Sequence, residues 1–289
     1  MKKNTYFFWI LLLLTGTAAA LDKPNDSTSR DNDIELLIPV SEFKPFLADP
    51  KWPKFTLAHM EYIEGSYGRH VFAPNFGAVL PFVRSRGKDG SISEWGLHAG
   101  IFSIMDLGSR PTRLINSDFF VGPAFTYQQN RWGYLFRVSH TSSHLGDEFL
   151  LSPQGKDVKR INLSYEAIEA YGSYRLDNGL RPYLGVGYLV DTDPESYQTW
   201  ELTGGADFHS PTTIIDGYGR LVYGFQSKAS KNSLWNPNVS IKGGLELEDK
   251  VVIGKTLQIL LEYFYGNSIH GQFYTQVESY VGLSTSVNF

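Results

Sequence analysis

His140-Thr141-Ser142 sets an imidazole and a hydroxyl two residues apart. In an extended segment both point to one face, about 6.6 Å apart along the axis, close enough to hydrogen-bond. A serine hydroxyl needs such a base before it can attack an ester carbonyl. The chemistry on offer is nucleophilic hydrolysis of a carboxylic ester, and the bland alternative is a polar pair at the rim of a sheet. Asp147 and Glu148, a few residues on, are hard oxygen ligands of the kind Ca²⁺ takes, or simply a solvated acidic loop. His144 cannot join His140 on one metal ion, because four residues of strand separate them by about 13 Å. Gly254-Lys255-Thr256 resembles the tail of a phosphate-binding loop, but position 249 is Asp where glycine is required, which removes that reading.

The residues around the pair say what must hold it. Over 131–144, Trp132, Tyr134, Phe136 and Val138 share a face with His140, Ser142 and His144, while Gly133, Leu135, Arg137 and Ser139 share the other. An apolar face that turns polar near its end is a lipid-facing strand approaching an interface, where polar groups cost far less than at mid-membrane. Strand-like stretches with turn residues between them recur along the chain: 54–64, 70–84, 92–106, 113–128, 131–144, 159–176, 180–190, 197–205, 213–227, 235–248, 253–265 and 272–289. Twelve is an even number, as a single-chain bacterial barrel requires, and the fold class expected is an all-β antiparallel transmembrane β-barrel. If 54–64 rises from the periplasm, the short turns at Ser85–Ser91, Gln129–Asn130, Asp177–Gly179 and Asp249–Val252 are periplasmic and Leu145–Val158 is outside. The last stretch alternates Val281, Leu283, Thr285, Val287 and Phe289, and ending on Phe289 resembles the signal by which assembly machinery recognises outer-membrane barrels.

Composition narrows the field further. The 289 residues are 42% hydrophobic, too many for a disordered chain, and carry a formal charge of −4, which gives no basic surface for nucleic acid. The absence of cysteine excludes disulfide frameworks, thiolate metal sites, cysteine nucleophiles and a lipoprotein anchor. Lys2-Lys3, the apolar run Tyr6–Leu14 and Ala18-Ala19-Ala20 read as a signal peptide over 1–20, so the expected location is the bacterial outer membrane after export and cleavage. Residues 21–53 form an N-terminal arm whose proline-rich second half is a candidate plug, and 54–289 form the barrel.

With these features assembled, the sequence resembles the outer-membrane phospholipase A family, twelve-stranded barrels with an outward H-x-S. The resemblance implies a lipid ester hydrolase with His140 as base, Ser142 as nucleophile and Asn162 as third member, with calcium beside the site and a homodimer as candidate active form. A hairpin centred near Leu151 would bring Asn162 across from His140. The more apolar face of 159–176, however, holds Ile161, Leu163, Tyr165, Ala167 and Tyr171, which would turn Asn162 inward unless a bulge intervenes. Glu166 shares the parity of Asn162 and is the substitute third member; H-x-S with Glu resembles lipid A deacylases. Tyr265-Gly266-Asn267-Ser268 also looks like the phospholipase family's final outer loop. Separately, Phe46–Pro53, Ser143–Glu148 and Gly271-Gln272-Phe273-Tyr274 resemble a bacterial family catalogued only as a domain of unknown function, which implies no activity. The partners expected are membrane lipids, phospholipid or lipid A. The alternative is a barrel without catalysis: structural, an adhesin or a narrow pore.

Overall fold

A computed structural model describes residues 32–197, 200–214, 217–247 and 255–288. The expected signal peptide, most of the arm before residue 32, the turn around Asp249–Val252 and Phe289 lie outside these residues.

Thirteen strands form one antiparallel sheet: β1 (Asn32–Leu36), β2 (Phe55–Glu64), β3 (His70–Gly87), β4 (Ile92–Asp106), β5 (Arg113–Gln129), β6 (Trp132–Leu145), β7 (Leu163–Tyr174), β8 (Leu180–Asp193), β9 (Trp200–His209), β10 (Gly219–Ser230), β11 (Asn238–Leu247), β12 (Thr256–Asn267) and β13 (Val277–Asn288). Each of β2 to β12 pairs with its successor, and β13 pairs back onto β2, closing a twelve-stranded barrel. The one strand the sequence pattern misses is β1, five residues added to the far end of β3 from Leu36↔Val83 to Asn32↔Gly87. The expected segment 159–176 is trimmed to Leu163–Tyr174 and 272–289 to Val277–Asn288, because their first residues build loops at one end of the barrel.

Period two explains why these sequences span a membrane. On β6 the outward Trp132, Tyr134 and Phe136 are about half exposed while Gly133, Leu135 and Arg137 between them are buried. Exposed apolar side chains such as Phe76, Leu80, Ile101, Leu184, Leu261 and Leu283 continue this coat around the barrel, as hydrocarbon demands of a lipid-facing surface.

A segment from the N-terminal side enters the lumen. Residues 38–54 run inside the barrel, where Phe43, Phe46 and Trp52 pack with Leu135, Tyr171 and Tyr183, and Phe46 stacks on Tyr183 at 3.9 Å. Gly77 is needed for the entry of this segment: a Cβ there would meet the Lys54 nitrogen at 2.8 Å and Pro53 Cα at 2.9 Å. This insertion corrects the reading of 159–176. Leu163, Ala167 and Tyr171 are buried lumen-facing residues, whereas Glu166, Ile168 and Ala170 on the alternate positions face outward. The apolar face turned inward because the partner it packs against is the inserted segment, not lipid.

Buried charge holds the insert in place. Arg181, paired with Asp207 at 2.5 Å, donates to the carbonyls of Lys44 and Pro45, and Asp207 accepts from the Leu47 nitrogen at 3.0 Å. Arg84, paired with Glu94, donates to Val40 O, and Glu94 accepts from Ser41 Oγ at 2.6 Å. Lys51 meets Asp118 at 2.5 Å. Asp118 also accepts from Asn116 Nδ2 at 2.8 Å, Ser143 Oγ at 2.5 Å and the Gly271 nitrogen at 3.3 Å. The three segments that resemble the uncharacterised family thus meet here: Lys51 from the first, Ser143 from the second and Gly271 from the third. Breaking a buried ion pair by removing one partner costs about 3–5 kcal/mol. Asp118→Ala is therefore expected to lower the thermal unfolding midpoint in detergent micelles clearly, and an unchanged midpoint would refute this role.

His270, in the loop between β12 and β13, is buried with neither ring nitrogen hydrogen-bonded. Burial, reinforced by the Lys51 ammonium, pushes it down to about 3. The unfolded chain takes up a proton near the ordinary value of about 6.5 and the native chain does not, so stability falls as pH drops from that value towards 3. The slope is about 1.4 kcal/mol per pH unit at most. His270→Gln is expected to flatten the fall in unfolding midpoint between neutral pH and pH about 4.5; equal falls in both proteins would contradict it.

Candidate functional site

β6 carries the site on its outward face. His140 lies eight residues past Trp132, which on a strand tilted by about 40° raises it about 20 Å towards the end with the longer loops. His140 and Ser142 are half-buried on the surface, while Ser139, Thr141 and Ser143 face the lumen and are buried. The two chemistry-bearing side chains therefore stand on the lipid side, as their parity with Trp132 and Tyr134 predicts.

The strand on either side completes the neighbourhood. Across β7, His140 is opposite Glu166 and Ser142 is opposite Ser164; across β5, His140 is opposite Val121 and Ser142 opposite Phe119. His140 Nδ1 and Glu166 Oε1 are 2.9 Å apart, and both side chains are one-third exposed. A carboxylate only accepts, so in this contact Nδ1 is placed to donate to Glu166. Beyond Glu166, β7 pairs with β8 so that Glu166 faces Asp191 and Ser164 faces Asp193, with a register shift immediately after Glu166. The bulge sits at the site, where such irregularities re-aim side chains.

Asn162 is not brought to His140. The hairpin centres near Pro153 rather than Leu151, because residues 146–162 contain the short helix α1 (Asp147–Leu150) and further turns. Continuing the register from Ser143↔Leu163 sets Asn162 level with His144, four strand positions or about 13 Å beyond His140. Its amide instead donates to Asp193 Oδ2 at 2.5 Å. The structure therefore joins His140 to Glu166, the substitute third member, and leaves Asn162 in another contact. His144 packs edge-on against Phe119 at 5.7 Å.

Asp147 and Glu148 form the exposed first turn of α1. Among the described residues no group of three or more His, Asp or Glu side chains converges in a way that could hold a metal ion. Asp147 and Glu148 therefore do not by themselves make up a side-chain calcium site.

Sequence reasoning missed Asp118 and the lumenal charge pairs around it. Their partners are 67 residues away at Lys51 and 153 residues away at Gly271. The visible signal was the proline-flanked aromatic run Phe46–Pro53, which is too irregular for a strand and too apolar for a solvated arm.

Fold and surface together define the class: a plugged, twelve-stranded transmembrane β-barrel with a lipid-facing His–Glu pair beside a serine. The chain belongs to the family described as "Protein of unknown function (DUF1207)", which matches residues 34–289. Among solved structures it is similar to outer membrane phospholipase A from Escherichia coli, with a TM-score of 0.56 and 12% identity, covering 86% of this chain and 94% of that one. It is also similar to the Salmonella typhi outer membrane phospholipase dimer with bound calcium, with a TM-score of 0.58 and 11% identity over the same shares. At these identities the likeness is one of fold. No curated protein matches the sequence.

Proposed function

We propose that the protein is an outer-membrane serine ester hydrolase acting on acyl chains of outer-leaflet lipids. The observation that supports it is the 2.9 Å contact between His140 and Glu166, next to Ser142, on the surface that faces lipid. Ser142 Oγ attacks the ester carbonyl carbon while His140 Nε2 takes its proton. The tetrahedral adduct collapses and the alcohol leaves with that proton. A water deprotonated by the same imidazole then attacks the acyl-serine, releasing the fatty acid and restoring Ser142. Glu166 holds the ring and stabilises the imidazolium that forms in each half-reaction. A site open to the bilayer suits this reaction because its substrate is a bilayer component.

The protein reaches the outer membrane through residues 1–20 acting as a cleaved signal peptide, with Phe289 read by the assembly machinery. The Glu166 contact favours the His–Ser–Glu arrangement of lipid A deacylases over the calcium-dependent phospholipase arrangement; calcium and an active homodimer belong to the latter. The test is hydrolysis of phospholipid and of lipid A by the refolded protein in mixed micelles, with calcium and with chelator. Fatty-acid release that persists in chelator supports the His–Ser–Glu site, and activity on phospholipid that requires calcium supports the other branch. No release from either lipid would leave the non-catalytic barrel as the reading. The aromatic insert across the lumen speaks against a pore.

A further inference from the structure

The lipid-facing surface on the β5 side of His140 is not smooth. Ala78, Ala99, Val121 and His140 are cross-strand partners in one continuous row, Ala78↔Ala99, Ala99↔Val121 and Val121↔His140. The row on the long-loop side is bulky: Phe76↔Ile101, Ile101↔Phe119 and Phe119↔Ser142. The row on the other side, Leu80↔Leu97 and Leu97↔Pro123, is bulky too. Two alanines between larger side chains leave an open, shallow trough whose lining includes Phe55, Phe76, Ile101, Phe119 and His140. The Phe55 and Phe76 rings meet at 5.5 Å and close the far end. From β3 to β6 the trough crosses three strand spacings, about 14 Å.

The opposite side of His140 has the contrary character. Glu166 faces Asp191, and Ser164 faces Asp193. The site therefore stands where an apolar trough meets a polar patch, which is how an ester divides a lipid into an acyl chain and an alcohol carrying the headgroup. We infer that the trough over Ala78 and Ala99 seats the acyl chain of the lipid whose ester lies at Ser142, and that these two alanines set the chain length accepted. The inference rests on the hydrolase reading of His140 and Ser142. In hydrocarbon a chain gains nothing by leaving water, so the preference comes from contact on several sides at once in the trough.

The experiment compares Ala99→Phe and Ala78→Leu with wild type on p-nitrophenyl butyrate and p-nitrophenyl palmitate, after heat-modifiable gel mobility has shown each variant folded. Filling the trough is expected to lower kcat/KM on the palmitate by about tenfold, what on the order of ten lost heavy-atom contacts supplies. The butyrate, too short to reach Ala99, should change by less than about twofold. An unchanged palmitate-to-butyrate ratio in both folded variants would overturn the assignment of the trough while leaving the hydrolase reading intact. If wild type cleaves neither of these esters and releases fatty acid from neither phospholipid nor lipid A, the hydrolase reading fails and the trough is judged by photo-crosslinking with a diazirine-acyl phosphatidylcholine. Adducts concentrated at Ile101, Phe119 and Val121, and lost in Ala99→Phe, would still mark a chain seat. Adducts spread evenly over the lipid-facing strands would overturn it.

Discussion

Ser142→Ala and His140→Ala are each expected to reduce ester hydrolysis by at least about 10³-fold, and the double variant by no more than the worse single one. In the proposed reaction the two side chains act as a unit: an alanine at 142 would leave no nucleophile, and an alanine at 140 would leave a hydroxyl with no base to take its proton. Neither substitution should unfold the barrel. Both side chains lie on the lipid-facing surface, outside the lumenal packing of Phe46, Trp52 and Tyr183. Initial rates of fatty-acid release, with folded fractions scored by heat-modifiable mobility, decide the matter. A folded Ser142→Ala protein with wild-type rates would exclude Ser142 as nucleophile.

Glu166 and Asn162 provide the second large effect, because they separate the observed geometry from the arrangement the phospholipase resemblance implies. Glu166→Ala removes the carboxylate that meets His140 Nδ1 at 2.9 Å. Losing the group that fixes the imidazole tautomer costs about 10² to 10⁴ in kcat, with a smaller effect on KM. Glu166→Gln should recover little, since an amide can present its NH₂ to the ring and favour the wrong tautomer. Asn162→Ala should stay within about threefold of wild type, because Asn162 bonds Asp193 and stands level with His144. The reverse ranking, with Asn162→Ala inactive and Glu166→Ala active, would mean that the hairpin adopts a different register in the membrane.

What could be read from the sequence follows from which interactions are local. Alternation along a strand is local, so the outward placement of His140 and Ser142 was already visible in the run from Trp132 to His144. Strand count was visible for the same reason, since each strand carries its own period-two pattern and its own turn. Register across the β6–β7 hairpin is not local. It depends on how residues 146–162 fold back, and a four-residue helix with its following turns moved the pairing centre from Leu151 to Pro153. That shift set Glu166 rather than Asn162 across from His140.

The face reading of β7 failed for a different reason. Period two alone sends the apolar face of a barrel strand to lipid, but Tyr171 packs against aromatic side chains delivered into the lumen from residues 43–52. A plugged barrel has two apolar surroundings, and one strand's sequence does not say which of them its apolar face meets. The same insertion hid the Asp118 cluster, whose partners are scattered over the chain.

The proposed hydrolase requires Ser142 to be a nucleophile activated by His140. Its most direct test is covalent labelling of the folded protein in micelles with a long-chain alkylsulfonyl fluoride, followed by peptide mass spectrometry. A single sulfonyl adduct on Ser142 is expected, formed slowly or not at all in His140→Ala and absent from Ser142→Ala. Equal labelling of wild type and Ser142→Ala, or no labelling of folded wild type, would contradict it.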